Sequence, residues 1–224
     1  MTDVAPLFGL RLCTPRLELR LGAPEEIDDL GALAMRGIHP PDEMPFGVAW
    51  TDRLADPDFM EGFRAYHAGR LATWAVDSWG VDFLVWERGA LVGAMGISAD
   101  DFATDRTVTT GSWLGADAQG RGIGTEMRVA ILELAFRGLC AVAATSGFLE
   151  GNARSARVSE KLGYHSTGQR EVSPRGVPVR HHDLRLDRKD WRSPFPVEIT
   201  GLEPALPLFG ADYQPSERSA APSD

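Results

Sequence analysis

The stretch that most constrains the fold of this 224-residue chain is a glycine-rich turn, Gln119-Gly120-Arg121-Gly122-Ile123-Gly124-Thr125. It follows a threonine-rich alternating segment, Thr107 to Leu114, and precedes an apolar helical pattern at Met127, Ile131 and Leu134. A strand, a tight turn and a helix are therefore predicted in that order. Glycines let a ligand approach the backbone, and the N–H groups and dipole at a helix start attract anions. The turn predicts an anion site, for which a diphosphate is the natural ligand.

The turn alone leaves other interpretations open. A tight loop that binds nothing has the same composition. A P-loop requires Gly-Lys followed by Ser or Thr, and this turn has no lysine. A dinucleotide-binding fold places its glycine turn after the first strand of a βαβ unit, whereas this turn lies past the middle of the chain. Both phosphate-binding rivals therefore fit the sequence less well.

A second segment, residues 152–164, follows one predicted helix and one predicted strand later. Asn152, Ser155 and Ser159 are spaced by three and four residues, so they share one face of a predicted helix. A polar stripe of this kind is expected beside a polar ligand, although a solvated helix face with an asparagine cap has the same pattern. The two motifs together favour a bound ligand.

The order of the predicted elements is that of an α+β domain with a mixed sheet. Helices are expected from Pro24 to about Met35, from residues 56–58 onward, and from Asn152 to Leu162. The predicted strands are residues 14–21, 82–86, 90–97, 107–114, 139–148, 164–172 and 177–186.

Composition limits the location and the partners of the protein. The formal net charge of −9 argues against binding to a nucleic-acid backbone. Two cysteines are too few for a disulfide framework and lack the spacing of a zinc site, so no metal is expected. We see no signal peptide and no apolar run that could span a bilayer, which predicts a cytoplasmic protein without a membrane partner. Residues 193–224 are rich in proline and predict a tail, disordered or docked on the domain or on a partner subunit, after a domain of residues 1–192.

The two motifs resemble the GCN5-related N-acetyltransferase (GNAT) superfamily, in particular its Rim-type branch of ribosomal-protein-alanine acetyltransferases. The turn matches the family's Gln/Arg-x-x-Gly-x-Gly/Ala form, and residues 152–164 match the branch's Asn-x-x-Ser-x-x-Val-x-Glu-Lys-Leu-Gly-Phe/Tyr helix. Thr14-Pro15-Arg16-Leu17 resembles the branch's opening strand, and Asp190-Trp191 resembles its ending. The resemblance implies the GNAT fold, a central, mostly antiparallel sheet with a V-shaped split between strands 4 and 5, flanked by helices.

The resemblance also implies an acyl-CoA cosubstrate, either acetyl-CoA or succinyl-CoA, in the split between residues 107–114 and 139–148. The pantetheine arm would pair with backbone like an added strand, and the pyrophosphate would meet the N–H groups of the turn. Arg121 and Arg157 are candidates for phosphate contacts. The implied cofactor-binding residues are Trp113, Leu114, Gln119, Gly120, Arg121, Gly122, Ile123, Gly124, Thr125, Asn152 and Ser155.

The implied reaction is direct attack of a primary amine, on a small molecule or a protein N-terminus, on the thioester. An amine is mostly protonated near neutral pH, so the site must remove a proton. Many relatives use a strand glutamate where this chain has Thr109, and Asp77, Asp82 and Glu150 are the candidate substitutes. Many relatives also have a tyrosine where this chain has Ser159, which is the expected catalytic hydrogen-bond donor to the departing thiolate.

Further expectations concern the acceptor and the acyl group. Backbone N–H groups of residues 112–114 are expected to polarise the thioester carbonyl. The acceptor pocket is expected to be walled by His39, Met44, Phe46, Trp50 and Trp74. For a succinyl donor, the candidate partners of the acyl carboxylate are Arg70, Arg175 and Arg180.

Alternatives to an acetyltransferase stay open at this point. The same fold with a larger acyl-CoA, a sensor that binds acyl-CoA without turnover, and a structural protein that does not bind CoA are all compatible with the motifs. Sheet edges and the tail also suggest a homo-oligomer such as a dimer.

Overall fold

The computed structural model describes residues 2–211 of the chain. Its helices are α1 (Pro24–Met35), α2 (Phe59–Ala72), α3 (Phe102–Asp105), α4 (Ile123–Glu133) and α5 (Ala153–Lys161). Its strands are β1 (Arg11–Cys13), β2 (Leu17–Arg20), β3 (Ser78–Glu87), β4 (Ala90–Asp100), β5 (Thr107–Leu114), β6 (Ala143–Leu149), β7 (His165–Val172), β8 (Val179–Asp187) and β9 (Glu198–Thr200). Over residues 2–211, none of the helices combines the length and the apolar character needed to cross a membrane.

The strands form one mixed sheet in the order β7-β8-β6-β5-β4-β3-β2-β1-β9. Every neighbouring pair is antiparallel except β5 and β6, which run parallel. These two strands pair over only three positions, from Thr107↔Ala143 to Thr109↔Thr145. Beyond Thr109 they lose their mutual register, so the sheet opens at the predicted split. The α+β fold with a mixed sheet flanked by helices is confirmed.

The opening segment differs from the single strand predicted for residues 14–21. β1 and β2 form a hairpin, and Thr14 turns the chain between them. The Thr14 hydroxyl accepts a hydrogen bond from the Leu17 N–H at 2.9 Å, which closes the turn. Because β1 is an additional strand, the predicted strands 4 and 5 correspond to β5 and β6.

The strand predicted from residue 139 begins later, at Ala143. α4 continues into a π-helical turn over Leu134–Gly138, and the Leu139 N–H still bonds the Leu134 carbonyl at 2.8 Å. Cys140 then takes a positive φ of 57°, which redirects the chain before β6. Apolar periodicity alone did not separate this turn from the buried strand that follows it.

Each face of the sheet carries its own apolar cluster. On one face, α4 and the π-helical turn that continues it bury Met127, Ile131 and Leu134, as the spacing of these residues predicted. On the other face, α1 and α2 pack over β3 and β4, with Leu30 and Phe63 in the smaller cluster. The functional groups described below lie where these layers meet the open split.

Residues 198–211, within the predicted tail, lie against the domain. β9 pairs with β1, with Ile199 opposite Leu12. The Phe209 side chain is fully buried and contacts the rings of Trp74 and Trp79. Residues 212–224 of the predicted tail lie outside the described part of the chain.

Candidate functional site

The glycine-rich turn has the backbone that its sequence predicts. Gly120 has φ +74° and Gly122 has φ +82°, in the left-handed region that favours glycine. Gly122 is the N-cap of α4, so the first N–H groups of the helix follow directly. Gly124 differs: an added Cβ there would lie 3.8 Å from Leu114 and from Val158, which is ordinary contact. Conformation therefore requires glycine at 120 and 122, but packing does not require it at 124.

Gln119 braces the turn. Its side-chain amide donates to the carbonyls of Ile38 at 2.6 Å and Leu114 at 2.8 Å. Its amide oxygen accepts a hydrogen bond from Arg154 at 2.7 Å. With its polar atoms engaged in this way, Gln119 holds the turn against β5 and the segment after α1. An open depression of 520 Å³ lies beside it, lined in part by Gly120 and Arg154.

A partly buried network ties the start of α4 to the opening hairpin. Glu126 accepts hydrogen bonds from the Thr14 hydroxyl at 2.6 Å and from the Arg16 Nε at 2.7 Å. Arg121, a predicted phosphate contact, pairs with Glu87 at 2.5 Å, although half of its side chain is exposed. The Thr14–Arg16 motif therefore has a physical reason: it anchors the helix that presents the glycine turn.

The polar face of α5 divides into different roles. The Asn152 side chain accepts from the Ser155 N–H at 3.1 Å and caps the helix. Its amide also reaches the Pro45 carbonyl at 3.5 Å. Ser159 is 2 % exposed, and its hydroxyl has no hydrogen-bond partner among the described residues. Arg157, the other phosphate candidate, lies exposed on the same helix.

A buried arginine occupies the region where β5 and β6 separate. Arg128 of α4 is 4 % exposed and donates to the hydroxyl of Ser146 on β6 at 2.9 Å and to that of Ser112 on β5 at 3.4 Å. Its Nε has no hydrogen-bond partner among residues 2–211. Arg128 was not among the predicted site residues, because it stands next to Met127 in a helix whose apolar face was the stronger signal. A buried cation without a carboxylate is costly and is typical of a functional position.

A cavity of 550 Å³ opens between α2, the sheet and the segment that follows α1. Phe46 and Trp50, both predicted for the acceptor pocket, line it. Trp74 does not: it is buried in the core, stacks on Trp79, and donates to the Leu208 carbonyl at 2.9 Å. Predicted wall residues His39 and Met44 also lie outside the lining of this cavity. The lining residues are Phe46, Val48, Trp50, Arg53, Phe59, Gly62, Phe63, Tyr66, His67, Arg70, Asp82, Ala94, Gly96, Ile97, Ser98, Thr109, Thr110, Gly111, Ser112 and Trp113.

One end of the cavity is polar. Asp82 of β3 lies 3.2 Å from the Arg70 Nε and 3.9 Å from the His67 Nδ1, both on α2. The Asp82 Oδ2 is buried and accepts no hydrogen bond from any described residue. Burial lowers the pKa of His67 below its usual 6.5, Asp82 raises it in part, and Arg70 lowers it further. His67 is therefore a neutral imidazole at neutral pH.

The other carboxylates considered from sequence lie elsewhere. Asp77 is exposed in the turn before β3, and Glu150 is exposed beside Arg180. Thr109, at the position of the family glutamate, shares a hydrogen bond with the Thr145 hydroxyl across β5 and β6 at 2.8 Å. Of the three candidate substitutes, the structure brings only Asp82 into the cavity.

Two glycines lie in a row beside Asp82 across the sheet, in the direction of β5. In the sheet register Asp82 stands opposite Gly96 of β4, and Gly96 stands opposite Gly111 of β5. A Cβ at Gly96 would lie 2.5 Å from the Asp82 Oδ1, whereas one at Gly111 would meet nothing within 4 Å. The row Asp82–Gly96–Gly111 is thus a trough without intervening side chains that runs from the carboxylate to β5.

Comparison with known proteins gives a consistent result. The acetyltransferase (GNAT) domain family matches residues 16–165. Solved structures with the same fold include RimL, a ribosomal L7/L12 alpha-N-protein acetyltransferase in complex with coenzyme A, with TM-score 0.64 and 14% identity over 79% of this chain and 97% of that one. The microcin C7 self-immunity acetyltransferase MccE, in complex with acetyl-CoA and AMP, has TM-score 0.60 and 15% identity over 78% and 93%. A spermidine N-acetyltransferase chimera from Vibrio cholerae SpeG and hSSAT has TM-score 0.60 and 12% identity over 78% and 96%.

Proposed function

Because this chain belongs to the GNAT acetyltransferase family, whose domain matches residues 16–165, we propose that it transfers an acetyl group from acetyl-CoA to a primary amine. The observation that carries the proposal is the parallel pair β5 and β6, which separates after three residue pairs beside the glycine-rich start of α4. The structural neighbours RimL and MccE hold coenzyme A and acetyl-CoA respectively.

In the proposed complex, two sets of backbone groups hold the cofactor. β5 loses its β6 partner after Thr109, so the edge near Trp113 and Leu114 is available to the pantetheine arm as an added strand. The backbone N–H groups of residues 119–125 receive the pyrophosphate at the positive end of α4. Asn152 and Ser155 flank the arm from α5, with Asn152 acting chiefly as the cap that orients this helix.

Ser159 is proposed as the donor to the departing thiolate. Its hydroxyl is buried and has no partner among the described residues, and a buried hydroxyl without an acceptor is energetically unfavourable until one arrives. Ser159 lies outside the lining of the 550 Å³ cavity, so the sulfur must approach it from the open split.

A second candidate donor carries a carboxylate, as succinyl-CoA does. The favouring observation is Arg128, buried in the split without a carboxylate partner among residues 2–211. The three arginines considered from sequence are otherwise engaged. Arg175 pairs with Asp52 at 2.5 Å, and Arg70 faces Asp82. Arg180 lies 3.7 Å from Glu150. Arg128 is the better-placed cation for an acyl carboxylate.

The proposal is tested by binding and turnover together. Coenzyme A should raise the melting temperature, because a ligand of the native state stabilises it. Acetyl-CoA and succinyl-CoA are then compared in a thiol-release assay with a pool of primary amines. Binding without amine-dependent thiol release would support the sensor, and no thermal shift at high excess would support the structural protein.

A matched pair of glycine substitutions tests where the pyrophosphate binds. Gly120 and Gly176 both have φ +74°, and an added Cβ meets nothing within 4 Å at either position. Alanine at each should cost a similar 1–2 kcal/mol or so of folding free energy through the left-handed backbone. We expect only Gly120→Ala to weaken CoA binding. Equal CoA affinities for the two variants would show that the pyrophosphate does not bind at the turn.

A further inference from the structure

The cavity next to β5 combines an apolar body with one acidic end. Its lining is mainly apolar and aromatic, and among the lining residues that the structure describes, Asp82 is the carboxylate. Arg53 and Arg70 are the cations of the same lining. At 550 Å³ the cavity has the size of sites that enclose a small molecule.

The aromatic side of the cavity is a connected set of rings. Trp50 lies 5.4 Å from Phe46, 6.2 Å from Phe63 and 5.7 Å from Trp113, measured between ring centroids. Phe63 is buried, whereas Phe46, Trp50 and Trp113 are only partly buried. Partly buried rings that line a cavity gain from contact with an apolar or aromatic ligand.

The acidic end is suited to a single nitrogen. The Asp82 Oδ2 is buried and lies 3.2 Å from the Arg70 Nε as an ion pair, but it accepts no hydrogen bond from any described residue. From there the trough over Gly96 and Gly111 leads to β5, the strand that borders the split. A nitrogen held at Asp82 therefore has an unobstructed path to a thioester lying along β5.

The inference drawn from these observations rests on the proposed function and extends it to the acceptor. We propose that the acceptor is a small primary amine on an apolar, ring-bearing body, with its nitrogen beside Asp82 and His67 and its body against Trp50, Phe63 and Trp113.

Two other classes of acceptor, polyamines and protein N-termini, fit this cavity less well. A polyamine carries several cations and needs several carboxylates, whereas this lining supplies Asp82 alongside two arginines. A protein N-terminus needs polar partners for its peptide groups, and the walls above Asp82 are rings. An apolar body satisfies these walls without leaving buried polar groups unpaired.

The proton transfers follow from the same arrangement. The ammonium group of the acceptor gives one proton to the neutral His67, and Asp82 stabilises the imidazolium that forms. The free amine lone pair attacks the thioester carbon, so an N–C bond forms and the C–S bond breaks. The second amine proton leaves as the amide forms, the thiolate takes up a proton to give free CoA, and His67 returns its proton to solvent.

Substrate competition tests the acceptor class directly. With saturating acetyl-CoA, kcat/KM is measured by thiol release for 2-phenylethylamine, tryptamine, spermidine and a peptide with a free N-terminal alanine. We expect kcat/KM for the two aryl amines to exceed that for the other acceptors by at least about 10-fold, in line with the free energy that aromatic contacts contribute. Preference for spermidine or the peptide overturns the inference.

Variants separate the two ends of the site. Trp50→Ala should raise the KM for 2-phenylethylamine far more than the KM for ethylamine, which has no ring. Asp82→Asn should lower kcat/KM for both amines and move the acidic limb of the pH profile to lower pH, because Asp82 raises the pKa of His67. The other ionisable groups that line this cavity are Arg70 and Tyr66 on α2 and Arg53 across from them, and Arg70 loses its ion-pair partner in Asp82→Asn. Phe8→Ala, an exposed aromatic outside the lining, is the matched control.

The outcomes distinguish the inference from the function on which it rests. Thiol release with spermidine or the peptide, but not with aryl amines, leaves an N-acyltransferase with a different acceptor. An unchanged KM for 2-phenylethylamine in Trp50→Ala rejects the aromatic wall. Absence of both CoA binding and thiol release with every amine rejects the function and the acceptor together.

Discussion

Replacing Gly111 with alanine should impair amine acylation without weakening the fold. An added Cβ meets nothing within 4 Å, and the Gly111 backbone lies outside the left-handed region. Gly→Ala at such a position raises the free energy of unfolding by about 0.4–1 kcal/mol, because the unfolded chain loses freedom. The new methyl group occupies the trough between Asp82 and β5. A displacement of the attacking nitrogen by about 1 Å lowers the rate about 10²-fold.

Gly96→Ala is the matched comparison in the same row. Its Cβ would lie 2.5 Å from the Asp82 Oδ1 and 3.4 Å from the Gly111 carbonyl, so Asp82 must move. Overpacking of this kind costs about 1–3 kcal/mol. The two variants should therefore lose activity alike and change stability in opposite directions.

Urea unfolding, kcat/KM by thiol release and the Kd for CoA are the measurements for this pair. We expect an unchanged Kd in Gly111→Ala, because the proposed pantetheine contacts are further along β5, near Trp113. Wild-type kcat/KM in Gly111→Ala would refute the trough as the acceptor path. A lost CoA affinity in that variant would show instead that the row belongs to the cofactor site.

Three further predictions concern other parts of the molecule. Ser159→Ala should lower kcat at saturating acetyl-CoA but leave the melting temperature unchanged, because the hydroxyl has no partner among the described residues. Unchanged turnover would exclude Ser159 as the hydrogen-bond donor to the thiolate. Arg128→Met should leave the free energy of unfolding unchanged or raise it by about 1–4 kcal/mol. It should also reduce turnover of succinyl-CoA relative to acetyl-CoA, and an unchanged ratio of the two turnover rates would exclude a contact between Arg128 and the acyl carboxylate. Arg20 holds the pKa of Glu26 at about 2, below its usual 4.5, so the ion pair stabilises the fold above about pH 4.5 and its contribution is lost as pH falls towards 2. Glu26→Gln should therefore cost about 1 kcal/mol at pH 7, after allowance for solvent screening, and nothing near pH 2; a cost independent of pH would contradict the linkage.

Features set by local sequence were predicted well. α1 begins at Pro24, and α5 is capped by Asn152, because a proline or a capping side chain fixes a helix start without reference to the rest of the chain. The tight turn predicted at the glycines is also a local feature, and in it Gly120 and Gly122 take the left-handed conformations that favour glycine. β6 was predicted too long, since the turn before it is as apolar as the strand.

Features set by strand register could not be predicted. Asp82, Gly96 and Gly111 are far apart in sequence and meet only because β3, β4 and β5 pair in one particular register. Trp74 looked like a pocket aromatic, but residues 203–209 cover it and bury it beside Phe209. The acceptor side of the site therefore depended on tertiary contacts that composition and periodicity do not encode.

The proposed reaction moves an acyl group from CoA to an amine nitrogen. Its most direct test quantifies, in one reaction with acetyl-CoA and a primary amine, both the free CoA thiol and the N-acetyl amide by mass spectrometry. We expect the two products in equal amounts, with neither formed above background when the amine is omitted. Thiol release without amide, or binding of CoA with neither product for any amine, would contradict acyl transfer to an amine.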